Sequence, residues 1–155
     1  MKTLNELLKQ EETCLFDRFN NRTAWEIGRL AVERAEEEKL PVAINIDRFG
    51  QPLFHAALTG TGPDNDLWIA GKKRVVYHFR HSSFYISRRL LESGQNLKEK
   101  YYLDPGEFRA RGGGFPILVK SAGLAGVLTV SGLKDNEDHD FAVRILHEYL
   151  SGPGS

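Results

Sequence analysis

The residues best suited to chemistry are concentrated in one stretch, residues 112–139, which begins with three glycines and ends at a histidine. Backbone amides at Gly112, Gly113 and Gly114 can approach a ligand closely, and a concave row of N–H groups can hold an anion. The triplet is not a P-loop, because a predicted strand follows it and the Gly-Lys-Ser/Thr ending is missing. Its alternative role is a flexible turn before a strand, and both interpretations stay open.

A second glycine loop, residues 60–65, precedes a predicted helix and begins like a dinucleotide-binding fingerprint. Asn65 stands where the third glycine of that fingerprint is required, and the surrounding sequence lacks a parallel βαβ pattern. The chain also lacks the Gly-x-Ser-x-Gly pattern of a serine hydrolase. We therefore expect neither a dinucleotide site nor a serine nucleophile.

The histidines do not form a convincing metal site. His139 and His147 are eight residues apart on one predicted helix, too far for shared coordination. His78 and His81 share a helix face, but no third ligand lies nearby in the sequence. Cys14 has no Cys-x-x-Cys-His context for covalent haem. The sequence thus predicts no metal.

Charge is distributed unevenly, although the formal net charge is zero. Between residues 67 and 91 there are two histidines, no acid, and six basic residues: Lys72, Lys73, Arg74, Arg80, Arg88 and Arg89. This run forms a solvated face, meets an acidic helix of another subunit, or receives a ligand carboxylate. The neutral total gives no support to nucleic acid or an anionic membrane as a partner.

Length and composition indicate one soluble domain. A chain of 155 residues, 41% hydrophobic and 27% charged, can bury a sizeable core. A single cysteine favours a reducing compartment, and we expect the cytoplasm, since the sequence has neither a signal peptide nor a membrane span. We predict one domain over residues 1–150 and a flexible tail over residues 151–155.

The elements that must position these residues follow from periodicity and turn signals. Alternation predicts one hairpin from strands at 42–47 and 53–58, and another from strands at 115–120 and 125–131. A turn over residues 49–52 joins the first pair. With a short strand or extended segment near Phe16 and helices between the hairpins, the chain is α+β: an antiparallel sheet built from two hairpins and covered by helices, of profilin-like or PAS-like plan.

Helix starts are predicted from capping residues. Thr3 and Glu6 have the spacing of a capping box. Further helices are predicted to be capped by Asn21 or Thr23, by Asp64 or Asn65, and by Asp135 or Asn136. A helical pattern from residue 67 to 91 is too long for one helix, so a break is expected near residues 81–83. Gly28, inside the second helix, predicts a close packing contact.

Three segments resemble the haem-degrading (HbpS/GlcG-like) domain family: GGGFPI at 112–117, GVLTVSGL at 126–133 and EDHDFAV at 137–143. The likeness is closer still to a branch of uncharacterised proteins of about this length. That branch carries a further pattern, matched here by Pro63, Asp64, Asn65, Trp68, Lys72, Ser82 and Ser83.

This resemblance implies a profilin-like α/β/α sandwich that assembles into symmetric homo-oligomers. Some members of the family bind or degrade haem, and others are linked to small-molecule metabolism. The resemblance supplies no iron ligand that can be transferred residue by residue. Haem is therefore a candidate cofactor through the family alone.

Two functions are compatible with these observations. The first is a small-ligand-binding oligomeric domain that binds or degrades haem or takes another small anionic ligand. The second is a non-enzymatic homo-oligomeric assembly or adaptor protein, held together by basic and acidic helices and hence sensitive to salt. Whether the chain is an enzyme stays open, because the sequence contains no complete catalytic constellation.

In the first interpretation, the predicted site combines the glycine triplet, the Ser-Gly loop and the helix that follows Asn65. Lys72, His78 or Arg111 would pair with a carboxylate such as a haem propionate, and His78 or His139 would be the axial iron ligand. The predicted ligand-binding residues are Asn65, Trp68, Lys72, His78, Ser83, Gly113, Gly114, Phe115, Pro116, Ser131, Gly132, Asp138 and His139.

Overall fold

A computed structural model describes residues 2–152 of the chain. The helices in this part are α1 (Leu4–Glu12), α2 (Asn21–Glu37), α3 (Pro63–Phe79), α4 (Ser83–Ser93), α5 (Leu97–Tyr101) and α6 (Asp135–Ser151). The strands are β1 (Leu15–Phe16), β2 (Ala43–Arg48), β3 (Gln51–Ala57), β4 (Gly114–Val119) and β5 (Gly123–Ser131).

The strands form one five-stranded sheet in the order β1-β4-β5-β2-β3. Both predicted hairpins are confirmed, and antiparallel pairing of β2 with β5 joins them side by side. The sheet is mixed, because the short β1 pairs in parallel with β4 at one edge. The α+β class is therefore confirmed, with one parallel edge strand added to the antiparallel centre.

Helices cover both faces of the sheet. Ile44 and Ile46 of β2 belong to the main core, together with apolar residues of α2 and α6. The intervening Asn45 and Asp47 are also buried, and they lie on the face covered by α3. The alternation predicted one apolar and one partly polar face, and α3 explains why the polar face is nonetheless hidden from solvent.

The turn between β2 and β3 is shorter than predicted. Phe49 and Gly50 both have positive φ, 48° and 100°, as two-residue hairpin turns require. The carboxylate of Asp47 accepts a hydrogen bond from the Gly50 amide at 2.9 Å. Gln51 and Pro52, predicted to lie in the turn, belong to β3 instead, and proline is tolerated there because β3 is an edge strand.

Several helix starts differ from the prediction by one or a few residues. The Thr3 and Glu6 capping box is confirmed. Asn20 caps α2, since its side chain accepts from the Thr23 amide at 2.9 Å, so the prediction of Asn21 or Thr23 was wrong. Gly62 and Lys134 occupy the cap positions of α3 and α6, immediately before the first helical residue.

The predicted break between two helices is confirmed at residues 80–82. Arg80 ends α3 in a left-handed conformation, and Ser82 caps α4 by accepting from the Tyr85 amide at 3.1 Å. Gly28 of α2 lies directly under Phe54, where an added Cβ would stand 2.3 Å from the ring, so the predicted close contact is present.

The C-terminal residues only partly fall within the described range. α6 runs to Ser151, and Gly152 is its C-cap residue. Residues 153–155, which belong to the predicted tail, lie outside the described residues. Within residues 2–152, no helix combines the length and apolar character needed to cross a membrane.

Candidate functional site

A buried ion pair joins the two helical layers at one end of the sheet. Lys72 of α3 and Asp138 of α6 are 3% and 2% exposed, and the distance from Lys72 Nζ to Asp138 Oδ2 is 3.1 Å. Lys72 Nζ also donates to the carbonyl of Val130 in β5, at 3.0 Å. The pair therefore connects α3, α6 and the sheet at a single point.

The backbone surrounds the Asp138 carboxylate with further donors. The amide of Gly132 donates to Oδ2 at 3.3 Å, and that of Leu133 donates to Oδ1 at 3.0 Å. Asp138 also lies in the first turn of α6, where the helix dipole favours a negative charge. These contacts explain how the loop between β5 and α6 holds the carboxylate in place.

Burial shifts the pKa values of Lys72 and Asp138 away from their ordinary values. It lowers the pKa of the Lys72 ammonium, against the opposing effect of the Asp138 carboxylate. It raises the pKa of Asp138, against the opposing effects of Lys72 and the Leu133 and Gly132 amides. Shifted pKa values of this kind occur at functional sites as well as in structural ion pairs.

Gly113 makes this arrangement sterically possible. Its φ is +134°, and an added Cβ would lie 2.2 Å from the Val130 carbonyl oxygen and 2.9 Å from Lys72 Nζ. Only glycine therefore fits between the ammonium group and the end of β5.

A cavity of about 230 Å³ opens above the ion pair, and we call it the Lys72 cavity. Asn65 and Ser131 form part of its wall, and Asn65 Nδ2 donates to Ser131 Oγ at 3.3 Å. Asn65 is held in turn by the Gly62 amide, which donates to its Oδ1 at 2.9 Å. The lining residues are Asn65, Trp68, Lys72, Arg111, Ser131, Gly132, Leu133, Asp135 and Asp138.

The mouth of the cavity carries cationic and aromatic groups. Arg111 Nε lies 3.0 Å from Asp135 Oδ2, and its guanidinium carbon lies 5.8 Å from the Trp68 ring centroid. Arg109 is closer to the same ring, at 4.5 Å. Because the Arg111 side chain is 57% exposed, it can exchange Asp135 for another anion at little cost.

The structure brings six of the predicted site residues together around this cavity: Asn65, Trp68, Lys72, Ser131, Gly132 and Asp138. Gly113 lies immediately behind Lys72, as described above. Gly114 is fastened to α4 by Ser83, whose Oγ accepts from the Gly114 amide at 2.9 Å. Gly113, Gly114 and Ser83 thus support the cavity from behind without lining it.

Three further predicted residues are buried in the core and do not reach the cavity. Phe115 and Pro116 are buried in β4. His139 is fully buried between the rings of Phe84 and Phe115, with centroids at 5.0 and 5.8 Å. Its Nε2 atom lies 2.7 Å from Gln10 Oε1, Nδ1 has no partner in the described part of the chain, and burial lowers its pKa to about 4.

His78 lies apart from the other predicted residues. It is exposed near the end of α3, where its ring contacts those of Phe79 and Phe108, with centroids at 4.6 and 5.9 Å. Across residues 2–152, no group of three or more His, Cys, Asp or Glu side chains is arranged to hold a metal ion.

Besides Arg111, which was predicted only as a partner for a carboxylate, two lining residues were missing from the predicted site. Asp135 was interpreted only as a helix cap, although its i, i+3 spacing from Asp138 places both on one helix face. Leu133 contributes through its backbone amide, which no side-chain pattern could have indicated.

Comparison with known proteins gives consistent results. A family described as "Haem degrading protein HbpS-like" matches residues 19–147. A UPF0303 protein from Streptomyces coelicolor is 46% identical over 148 residues, which cover 96% of this chain and 94% of the relative.

Solved structures share the fold. The crystal structure of Ybr137w protein superposes with a TM-score of 0.90 at 33% identity, covering 96% of this chain and 88% of the other. A PduOC:heme complex superposes with a TM-score of 0.69 at 22% identity, covering 83% and 93%. The chain therefore belongs to the HbpS-like haem-degrading family, and its sandwich of helices around a mixed sheet is the fold of that family.

Proposed function

We propose that the chain binds a small carboxylate-bearing ligand in the Lys72 cavity. The observation that carries this proposal is the buried Lys72–Asp138 pair at the base of the cavity, surrounded by polar groups from three elements. A buried charge pair contributes little net stability compared with an apolar contact, so its position under a cavity favours a role in binding.

The hydrogen-bond inventory favours an anion. Lys72 has three N–H donors, of which two bind Val130 and Asp138. The second amide hydrogen of Asn65 and the hydroxyl hydrogen of Ser131 have no acceptor within residues 2–152. The acceptor atoms of Asp138 are occupied by Lys72 and two backbone amides. The cavity thus offers spare donors, which match carboxylate oxygens.

Calorimetric titration with acetate, succinate and inorganic phosphate tests the proposal. We expect carboxylates to bind, and the Asn65→Ala and Arg111→Ala variants to weaken binding by about tenfold each, the loss of one or two charge-assisted hydrogen bonds. Arg144→Ala is the matched control, since Arg144 forms a similarly exposed pair with Glu38 away from the cavity. Equal affinity in Arg111→Ala and Arg144→Ala would contradict the proposal.

Haem is a second candidate ligand, because the family is described as haem-degrading and one solved relative is a haem complex. The Lys72 cavity itself does not fit haem iron, since its lining contains no His, Cys, Met or Tyr side chain. Of the two histidines predicted as axial ligands, His139 is enclosed in the core and only His78 is accessible.

A haem titration separates the two candidates. Haem binding through His78 predicts a Soret shift at micromolar haem that is lost in His78→Ala and kept in Arg111→Ala. The exposed His147 supplies the control variant, His147→Ala. The absence of a shift, or an equal shift in all variants, would exclude a histidine-ligated haem at His78.

A further inference from the structure

An apolar groove lies beside the Lys72 cavity, between α3, α4, α5 and the loop at residues 105–111. Its volume is about 680 Å³. Leu90 and Leu97 form buried parts of its wall, at 7% and 5% exposure, whereas Leu91 is 73% exposed. The apolar lining comprises Leu90, Leu91, Leu97, Pro105, Phe108 and Ala110, besides the ring of Trp68.

The groove and the Lys72 cavity share walls. Trp68, Arg111 and Asp135 line both spaces. Arg109 lines the groove and stacks on Trp68 at the same boundary. A ligand that occupies the cavity therefore has the apolar groove as its nearest neighbouring surface.

The charges along the groove favour one orientation of a ligand. The charged residues that line the groove are Arg109, Arg111 and Asp135, which together carry one net positive charge. Arg109 and Arg111 lie beside the Trp68 ring, and Asp135 pairs with Arg111, so all three lie at the end of the groove next to the Lys72 cavity. The other lining residues carry no charged side chain; they are Trp68, Ser87, Leu90, Leu91, Gln95, Asn96, Leu97, Pro105, Phe108 and Ala110. A ligand with a negatively charged head group near the arginines and an apolar tail along the leucines would match the charged and the uncharged ends of the groove.

We propose that the ligand is an amphipathic carboxylate, with its head in the Lys72 cavity and an alkyl chain in the groove. This inference rests on the proposed function, since it extends the same site. The alkyl chain of the ligand would cover Leu91, which otherwise exposes its apolar surface to water. The guanidinium groups of Arg109 and Arg111 would flank the carbon atoms nearest the carboxylate.

A series of linear carboxylates from acetate to decanoate, titrated below their micellar concentrations, tests the proposal. We expect the dissociation constant to fall by about two- to fourfold for each methylene group that the groove covers. The corresponding alcohols should bind more weakly than the acids, because they lack the charge that Lys72 and Arg111 recognise.

Leu91→Asp and Leu67→Asp form a matched pair of variants. Both leucines are exposed on helices, at 73% and 55%, but only Leu91 lines the groove. We expect Leu91→Asp to weaken decanoate binding by about tenfold or more, through the lost contact with the alkyl chain, and to weaken acetate binding by much less. Leu67→Asp should leave both unchanged.

The outcomes separate the two proposals. Acetate and decanoate of equal affinity would overturn the role of the groove while leaving the carboxylate site in place. Decanoate binding that Leu91→Asp does not weaken, or that Leu67→Asp weakens equally, would also overturn it. Binding of no carboxylate at all would overturn the proposed function together with this extension.

Discussion

Gly113 fills a position where a side chain would collide with backbone and with Lys72 at once. We expect Gly113→Ala to lower the free energy of unfolding by about 2–4 kcal/mol, through positive φ combined with the steric contact. Gly50→Ala is the control, since Gly50 has a φ of +100° and no atom within 4 Å of an added Cβ. Gly50→Ala should cost only about 1–2 kcal/mol. Denaturant unfolding of both variants measures the difference, and equal losses would contradict the steric argument.

His139 makes the fold sensitive to acid. Its pKa is about 4 in the folded chain, below the ordinary value of 6.5, because burial disfavours the imidazolium. Between these two values the unfolded chain binds a proton and the folded chain does not, so stability falls as the pH is lowered from 6.5 to 4. Proton linkage predicts that the free energy of unfolding falls by about 3 kcal/mol over this pH range.

Unfolding measured across that pH range checks the role of His139. The variant His139→Phe keeps a ring between Phe84 and Phe115 but cannot bind a proton there. Its free energy of unfolding should therefore fall by about 3 kcal/mol less than that of the wild type over this pH range. His147→Asn should retain the full loss, since His147 is exposed on the same helix. Identical pH profiles for wild type and His139→Phe would show that another group is responsible.

At the scale of elements, α3 links the sheet to the ligand site. Its N-terminal part supplies Asn65 and Trp68 to the cavity, and Lys72 follows one turn later. α6 approaches from the opposite layer with Asp135 and Asp138 in its first turn. Neither helix could form the site alone, because the lysine and its carboxylate lie on different helices.

Removing one partner of the buried pair should loosen this connection. We expect Lys72→Met to lower the free energy of unfolding by about 3–5 kcal/mol, since it leaves Asp138 buried with only backbone donors. Restoring an apolar pair in Lys72→Met/Asp138→Leu should recover part of that loss. Arg144→Ala, which breaks an exposed pair, should cost less than about 1 kcal/mol. A Lys72→Met loss as small as that of Arg144→Ala would contradict the structural role of the pair.

At the scale of the whole molecule, three of the basic residues between residues 67 and 91 have partners within the chain. Lys72 pairs with Asp138, Lys73 lies 3.3 Å from Asp47, and Arg74 donates to the Glu107 carbonyl at 3.0 Å. The acidic α2 is similarly engaged, for example through Arg34 and Glu37 in its last turns. The salt-sensitive contact between basic and acidic helices of different subunits stays a prediction, and these contacts within the chain would compete with it.

Homo-oligomers stay a prediction of the family resemblance, and we propose that they form through apolar surface centred on β3. This strand is at the sheet edge, and Trp25, 47% exposed, packs on its Phe54 at 5.8 Å. We expect light scattering to give the same oligomer mass at about 0.1 M and about 1 M salt, because apolar contacts are not screened. Trp25→Lys should reduce that mass, and Tyr102→Lys, at an aromatic residue 90% exposed elsewhere, should not. A monomer at both salt concentrations would contradict this expectation.

Sequence alone determined the elements and the family. Period-two alternation and turn residues placed both hairpins, Ser82 marked the helix break, and the segments at 112–117, 126–133 and 137–143 indicated the family. These features are local, since each depends on residues close together in the chain. Six of the cavity residues were also predicted. Ser131, Gly132 and Asp138 belong to those segments, and Asn65, Trp68 and Lys72 belong to the further family pattern between residues 63 and 83.

Only the tertiary structure decided how these residues are used. Lys72 and Asp138 are 66 residues apart, and their pairing depends on the packing of two helices against opposite faces of one sheet. His139, adjacent to Asp138 in sequence, turns into the aromatic core instead of the cavity, because successive residues of a helix point about 100° apart. Local pattern thus identified the residues with chemical potential, and the packing of distant elements selected which of them meet.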